Sequence, residues 1–436
     1  MRLLIIDPIG SALEFALRCK DAGHSVKHFI PQTEKTKHIG KGIVDVVDDL
    51  QKWLFWPDLI FAADNTKYRR EVQRARDYGI PCVAPTEETA AWELDRQAGQ
   101  DIFRKCGVPV PAFVEFNDYN AAIAYVKQQM TRLVSKPSND DDKSLSYCAK
   151  SPEDMIYMLE RWKKAAKLKS SFILQEFIPG VEMACGGWFG PNGWLDGWCE
   201  NFEFKKLCVG NLGVATGEQG TVLRVVKSSK LARQVLSPLT TRLQKAKYVG
   251  YVDVNCIIDD AGHPWPLEFT MRPGWPTFQI QQTLLDGDPL QWLYDLATGK
   301  AGRPFRFNET AIGVVLSVPD YPYSHLTRKE VTGIPIYGIT PGLRPFIHLC
   351  ECMAGEYPIT RGETIVTEKG YVTAGDYVLL ATASGQSVRE GMEAVYRRLN
   401  RLHVPNSPMW RTDIGRRLAK ELPIVQPMGF AIGMQY

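Results

Sequence analysis

Along the first hundred residues, apolar positions follow two alternating patterns. Residues 3–6, 25–29, 59–62 and 82–84 are short apolar runs, and the first is closed by Asp7-Pro8-Ile9-Gly10. Residues 12–22 and 68–78 instead show the wider spacing of an amphipathic helix. Short buried strands separated by helices predict a parallel, doubly wound α/β sheet. The opening run, Met1-Arg2-Leu3-Leu4-Ile5-Ile6-Asp7, is too short for a signal peptide or a membrane span and reads as the first strand. A helix is expected over 87–105. The prolines of Gly107-Val108-Pro109-Val110-Pro111 then mark a boundary, because proline ends helices and stiffens linkers.

Further on, the pattern predicts a helix over 120–129, a strand over 132–136, a polar loop, and an amphipathic helix over 152–167. Residues 172–226 are rich in Trp, Phe and Gly, and Gly190-Pro191-Asn192-Gly193 is a turn between apolar runs, so antiparallel hairpins are expected there. A helix over 230–247, strands with Gly/Pro turns from 310, and a helix over 387–402 complete the reading. The chain has no internal repeat and no low-complexity tract.

Composition narrows the class without naming it. The 436 residues correspond to about three domains at roughly 150 residues each. The 44% hydrophobic and 23% charged fractions are those of an ordinary soluble protein. With 52 Lys+Arg against 49 Asp+Glu, the net charge of +3 lacks the basic excess of a dedicated nucleic-acid binder, while a nucleotide-sized substrate is compatible with it. The ten cysteines include no CxxC pair and read as reduced thiols of a cytoplasmic protein. The expected partners are small molecules, with no membrane and no nucleic acid, acting on a monomer or homodimer.

The densest candidate chemistry lies between 248 and 279. Tyr251-Val252-Asp253-Val254-Asn255-Cys256-Ile257-Ile258 is a β-rich run closed by the turn Asp259-Asp260-Ala261-Gly262, and Pro266-Leu267-Glu268-Phe269-Thr270-Met271-Arg272 is its returning strand. Side chains alternate across a strand, so Asp253 and Asn255 share one face, as do Glu268, Thr270 and Arg272. If the two faces coincide, they gather hard oxygen ligands that suit Mg²⁺ and a guanidinium that can clamp a phosphate. Taken alone, the same alternation also fits a half-exposed hairpin face. Two further segments point to a nucleotide. Gln175-Glu176-Phe177-Ile178-Pro179-Gly180-Val181-Glu182 follows a strand as an extended hinge that can meet an adenine edge and ribose hydroxyls. Lys136 and Lys143 flank a loop where cations suit a triphosphate. The first loop, Asp7-Pro8-Ile9-Gly10-Ser11, is not G-x-G-x-x-G.

This order of Lys136, hinge and Asp253/Glu268/Arg272 hairpin resembles the ATP-grasp superfamily. Within it, the whole chain resembles the phosphoribosylamine–glycine ligase (glycinamide ribonucleotide synthetase) family. Gly79-Ile80-Pro81 through Ala84-Pro85-Thr86 is similar to the family's G-x-x-x-x-G-P-T, and Glu176-Phe177-Ile178 with Gly180 and Glu182 to E-F-x-x-G-x-E. Glu203-Phe204-Lys205-Lys206 is similar to D-H-K-R, and the segment from Gly213 through Thr216-Gly217-Glu218 to Gly220 to G-P-N-T-G-G-M-G. Glu268-Phe269-Thr270-Met271-Arg272 is similar to E-F-N-C-R. Gly313-Val314-Val315-Leu316 and Asp413-Ile414-Gly415-Arg416-Arg417 are similar to G-V-V-x and D-I-G-W-R.

The resemblance implies an α/β and α+β multi-domain chain. Residues 1–98 would be a parallel α/β (pre-ATP-grasp) domain and 99–307 an ATP-grasp domain with a mobile lid over about 112–175. Residues 308–436 would form a C-terminal β-rich domain. It implies a ligase in which ATP phosphorylates a carboxylate, an amine attacks the acyl phosphate, and an amide leaves with ADP and phosphate. The implied roles follow the motifs. Arg272 and Lys205 are the catalytic cations. Arg96, Lys136, Lys143, Glu176, Phe177, Ile178 and Glu182 bind ATP. Asp253, Glu268, Thr270 and Asn255 hold Mg²⁺ (or Mn²⁺). Glu203, Thr216, Gly217 and Gly10 contact the amino acid and the acceptor.

Four departures shape the expectation. The lid loop reads Asn139-Asp140-Asp141-Asp142-Lys143-Ser144 where the family has glycines. Gln100 stands at the family's triphosphate lysine, with Arg96 one turn earlier to replace it. Thr270 stands at a metal-binding Asn, with Asp253 adding a carboxylate. The family's G-x-G-G-R-E-H-A phosphate loop has become Pro8-Ile9-Gly10-Ser11-Ala12-Leu13-Glu14-Phe15-Ala16, without most glycines or the arginine. The expected activity is therefore the joining of glycine or another small amino acid to an acceptor other than phosphoribosylamine, such as a nucleotide or nucleobase. The alternatives are the phosphoribosylamine–glycine ligase reaction itself and a non-catalytic nucleotide-binding homologue.

Overall fold

Strands Arg2–Ile6, Ser25–Phe29, Leu59–Ala62 and Cys82–Val83 form where the apolar runs predict them. In the computed structural model, residues 1–138, 145–165, 171–300, 302–324, 328–405 and 407–436 are described. The four strands and Val46–Val47 make a five-stranded parallel sheet, with Arg2–Ile6 between Ser25–Phe29 and Leu59–Ala62. Leu3, Leu4 and Ile5 are fully buried because both faces of the sheet are covered. The strand order reverses beside Arg2–Ile6, and the crevice at the carboxyl ends there is where such sheets take ligands.

The helix expected over 87–105 is two helices, Glu87–Leu94 and Arg96–Lys105. Asp95 between them takes an extended conformation, and its carboxylate accepts the Ala98 N–H at 3.0 Å, capping the second helix. The break turns Arg96 inward as the first residue of a new helix. That helix is fixed against strand Pro264–Thr270 by Phe103 stacked on Phe269, with centroids 4.0 Å apart, and by Gln100, whose amide donates to the Leu267 carbonyl at 3.0 Å. The segment expected as one helix over 230–247 is likewise divided, into Lys230–Val235 and Thr240–Lys245, with a tight turn at Ser237–Leu239. Pro238 cannot donate the helical hydrogen bond.

Strands Phe113–Phe116, Phe172–Glu176, Leu133–Pro137 and Tyr147–Cys148 pair in that order as a separate antiparallel sheet under helices Tyr119–Gln129 and Pro152–Lys164. This unit has its own core, including Val126, Leu159, Trp162 and Phe172. Lys143 and the acids at 140–142 lie outside the described residues.

The main sheet has nine strands. Its order is Pro264–Thr270, Gly250–Ile258, Val181–Gly190, Trp198–Cys208, Leu212–Val226, Thr310–Ser317, Tyr377–Gly385 and Ile347–Leu349, with Gly193–Trp194 attached to Val181–Gly190. Hydrogen bonding runs without interruption past residue 308, since Leu212–Val226 pairs directly with Thr310–Ser317. Beyond the sheet, Cys352–Arg361 and Thr364–Thr373 make a two-stranded ribbon. Among the described residues no helix is long and apolar enough to cross a membrane, and all ten cysteines are free.

The C-terminal segment braces the strand that carries Glu203 and Lys205. Buried Arg411 pairs with Asp413 at 2.8 Å and donates to the Lys206 carbonyl at 2.9 Å, while Asp413 accepts the Gly210 N–H. Arg417 donates to the Glu203 carbonyl at 3.0 Å. Arg411→Ala should lower the unfolding free energy by about 3–5 kcal/mol, because it strands a buried carboxylate. Arg361→Ala, which breaks the exposed pair with Glu368, should cost less than about 1 kcal/mol. Urea unfolding followed by tryptophan fluorescence checks both, and similar small shifts for the two variants would contradict the bracing role.

Candidate active site

A cavity of about 280 Å³ opens where the switch point of the parallel sheet meets the main sheet. Ile9, Ser11 and Asp64 line it from the parallel sheet, and Arg96 from its helix. The opposite wall includes Glu203, Lys205, Glu218, Asp253, Asn255 and Glu268. Clefts of about 660 and 530 Å³ lie beside Trp53 and Trp56 and beside the C-terminal ribbon, and neither gathers comparable titratable groups.

The hairpin faces coincide. Asp253 sits opposite Thr270 and Asn255 opposite Glu268, and all four line the cavity. The second strand ends at Thr270, two residues earlier than the pattern predicts. Pro273 follows and has no N–H to continue a ladder. Arg272 nevertheless lines the cavity from beyond the strand, with Nε 3.4 Å from the Glu93 carboxylate.

Lys205 is the electrostatic centre. Its Nζ lies 3.0 Å from Glu203 and 3.5 Å from both Glu182 and Glu268. Burial lowers the pKa of this ammonium, but the three carboxylates outweigh that and hold it well above the usual lysine range. Arg96 approaches Glu268 at 3.4 Å and the Pro137 carbonyl. Burial raises the Glu268 carboxyl, yet Lys205, Arg96 and Lys136 together hold it well below the carboxylate range. Lys136 is pushed down to about 8, by burial first and then by Arg96, with Lys205 also repelling it.

Asp253 behaves oppositely. Burial, and then the Glu203 charge, push it up to about 7, against hydrogen bonds from Tyr251 and Asn201, each 2.9 Å. Gly186 makes room for this group, since any Cβ there would collide with the Tyr251 hydroxyl. Asn255 donates to Glu203 at 3.0 Å, and its carbonyl oxygen is buried without a hydrogen-bond partner among the described residues.

The hinge is only partly free for a ligand. Glu176 N–H donates to the Ala112 carbonyl and Phe177 N–H to the Arg132 carbonyl, with the Arg132 guanidinium 3.4 Å over the Phe177 ring. Ile178 makes no backbone–backbone hydrogen bond among the described residues. Thr216 Oγ1 is tied to the Lys205 carbonyl at 2.8 Å, while Gly217 is exposed and faces open space.

The first loop departs most from a phosphate cradle. Asp7 is fully buried, and its carboxylate accepts the Gly10 N–H at 2.9 Å, the Ala12 N–H at 2.7 Å and the Ile9 N–H at 3.4 Å. The Ser11 hydroxyl and His28 Nε2 also contact it, at 3.3 and 3.0 Å. Burial raises its pKa, but His28 and the Ala12 and Ser11 amides outweigh that and hold it below the carboxylate range. Gly10 has φ +79°, and a Cβ there would approach Ile39 to 2.8 Å. The amides of this helix entrance are thus occupied by the chain's own anion.

Glu93 and Glu218 line the cavity although the sequence reading did not select them. Glu93 accepts the Met271 N–H and the Asn65 amide, each at 2.6 Å, so it reaches the site through long-range contacts that no local pattern encodes. Glu218 had a visible signal, since it replaces the second glycine of the T-G-G part of the related motif. Among the described residues no three His, Cys, Asp or Glu side chains form a metal cluster. The donor set still fits Mg²⁺ or Mn²⁺ accompanied by phosphates, because it offers hard carboxylate oxygens and the unpartnered Asn255 oxygen.

No protein-family model matches the chain. It is similar to the phosphoribosylamine–glycine ligase of Vibrio cholerae, with 25% identity over 364 residues covering 80% of this chain and 81% of that protein. The crystal structure of a phosphoribosylamine–glycine ligase from Thermotoga maritima superimposes with a TM-score of 0.70 at 17% identity, covering 95% of this chain and all of the other. An L-amino acid ligase from Bacillus licheniformis superimposes with a TM-score of 0.59 at 14% identity, covering 93% of this chain and 98% of the other. The chain thus shares the fold of these ligases and is similar in sequence to phosphoribosylamine–glycine ligases over four fifths of its length. These similarities support an ATP-dependent, ADP-forming C–N ligase.

The Asp253 shift has a definite consequence for stability. Its reference pKa is 3.8 and its folded value about 7, so between those values the folded protein keeps a proton that the unfolded chain has lost. Stability therefore falls as pH rises through that window and levels off above it. Asp253→Asn should flatten this fall and leave the metal-free protein more stable at pH 8, by up to about 4 kcal/mol. Thermal midpoints between pH 4 and 8 check it, and parallel curves for the two proteins would contradict the assignment.

Proposed function

We propose that the protein joins a small amino acid, glycine being the simplest, to an amine that lacks the 5′-phosphate of phosphoribosylamine, with ATP as the energy source. The observation that carries this reading is Asp7. A phosphate entering the first loop would have to displace a carboxylate that already takes three backbone amides and His28. A second anion beside it is unfavourable in a buried setting. The T-G-G-like loop keeps open space at Gly217, which suits a small carboxylate substrate.

In this reading the amino-acid carboxylate attacks the γ-phosphorus of ATP, giving an acyl phosphate and ADP. The amine then adds to the acyl carbon, phosphate departs, and the amine nitrogen gives up a proton. Lys136 and Arg96 meet the nucleotide phosphates, and their placement around Glu268 supports that role. Lys205 and Arg272 offset the charge that gathers on the phosphoryl oxygens during transfer. The Ile178 backbone and the Glu176 carboxylate meet adenine, and Glu182 the ribose. Glu268 and Asn255, with Asp253 and Thr270 opposite them, would hold the divalent cation. Bound there, it would neutralise charge on the transferring group. In this reading the separate antiparallel sheet that carries Phe113–Phe116 and Phe172–Glu176 would act as the lid that limits hydrolysis of the acyl phosphate.

ADP release with Mg-ATP and glycine, across a panel of amines with and without phosphate, tests this reading. Turnover is expected with a non-phosphorylated amine, and efficient turnover confined to phosphoribosylamine would overturn it. Absence of both ADP release and ATP binding would favour a non-catalytic homologue. Glu268→Ala should reduce turnover by about 10²–10³-fold, the loss expected from several kcal/mol of transition-state charge stabilisation. Retained activity would remove Glu268 from the metal site.

A further inference from the structure

Glu218 feels the charges of the network around Lys205 but forms no ion pair with it among the described residues. It lies on strand Leu212–Val226, is 3% exposed and lines the cavity, and its Oε1 is buried with no hydrogen-bond partner among the described residues. The other acids beside it are engaged, Glu203 by Asn255 and Lys205, and Asp253 by Tyr251 and Asn201. Burial, and then the Glu203 charge, push the Glu218 carboxyl well above the carboxylate range.

Aromatic rings back this corner. Trp275 lines the same cavity, with its ring centroid 5.4 Å from that of Tyr377, and Tyr321 lies 5.3 Å from Tyr377 on the other side. The Tyr377 hydroxyl donates to the Glu218 carbonyl at 3.4 Å, which fixes the wall to the strand. A buried acid with a free oxygen is costly unless something pairs with it. Its complement here is a small cation with N–H donors. Such a group would displace the acid's proton to solvent, forming a charge-assisted hydrogen bond with the resulting carboxylate and a favourable contact with an indole face. The described lining agrees, since Asp64, Glu93, Glu203, Glu218, Asp253 and Glu268 outnumber Arg96, Lys205 and Arg272 there.

We propose that Glu218 and Trp275 form a subsite for a primary ammonium group carried by one of the two small substrates. The proposal rests on the ligase reading for the identity of the cavity, but its test does not require turnover. The ammonium can come from the amino acid's own α-amino group or from the acceptor amine, and two probes separate these sources.

Calorimetric titration of the full-length protein with glycine and with 1,4-diaminobutane, in the presence of Mg-ADP, should show binding of at least one. Glycolate and 1,4-butanediol, which lack the ammonium, should bind at least about tenfold more weakly than their counterparts. Glu218→Gln should weaken the probe that binds by about tenfold or more and leave Mg-ATP affinity unchanged. Trp275→Phe should weaken it less. The probe that loses affinity names the source. Failure of both probes to bind, or full affinity in Glu218→Gln, would overturn the subsite. So would parallel loss of Mg-ATP binding in both variants, which marks a structural role. Probe binding that depends on Glu218, without ADP release from any acceptor, would instead refute the ligase reading and leave the subsite standing.

Discussion

Three carboxylates converge on one ammonium, and the rest of the site depends on that arrangement. Glu182, Glu203 and Glu268 come from three strands of the main sheet, and Lys205 stands among them. Without the cation, these acids would repel one another in a partly exposed cleft, and removing one partner from such a group leaves an uncompensated charge. The network can form only when strands distant in sequence are in register. The order of the sheet is thus a condition of the chemistry, and the Arg411–Asp413 brace belongs to it as much as the residues that face the cavity.

The cavity has two ends of opposite character. Around Glu268, Arg96, Lys136 and Lys205 supply positive charge suited to nucleotide phosphates. Toward the parallel sheet, the helix entrance is closed by Asp7, and on the opposite wall Glu218 adds an acid whose Oε1 has no hydrogen-bond partner among the described residues. An anion is favoured at the first end and opposed at the second. The fold is shared with a phosphoribosylamine–glycine ligase, and the proposal of a different acceptor rests on the loop that Asp7 closes.

Much of this was legible in the chain. The apolar runs gave four of the five parallel strands almost to the residue, since a strand buried on both faces needs a continuous apolar segment, while the half-buried edge strand Val46–Val47 was too short to stand out. Two-residue alternation placed Asp253 with Asn255 and Glu268 with Thr270, and the register brought the pairs together. Local pattern could not show that Asp95 would end one helix and cap the next, because the residues around it suit either outcome. It also could not show that Glu93 would reach Met271, or that Asp7 would turn back onto Gly10 and Ala12. The Glu93 contact is set by tertiary packing, whereas the turns at Asp95 and Asp7 are local and compete with other local conformations that the same residues allow. The loss of glycines from the first loop was visible in the sequence, but the carboxylate that fills the space was visible only in three dimensions.

The most direct measurement follows an oxygen atom. The amino acid that supports ADP release is labelled with ¹⁸O in its carboxylate and turned over with Mg-ATP and an amine, and the inorganic phosphate is examined by mass spectrometry. An acyl phosphate formed in this cavity predicts one labelled oxygen in phosphate for each ADP released. Unlabelled phosphate, or AMP and pyrophosphate in place of ADP, would contradict the account.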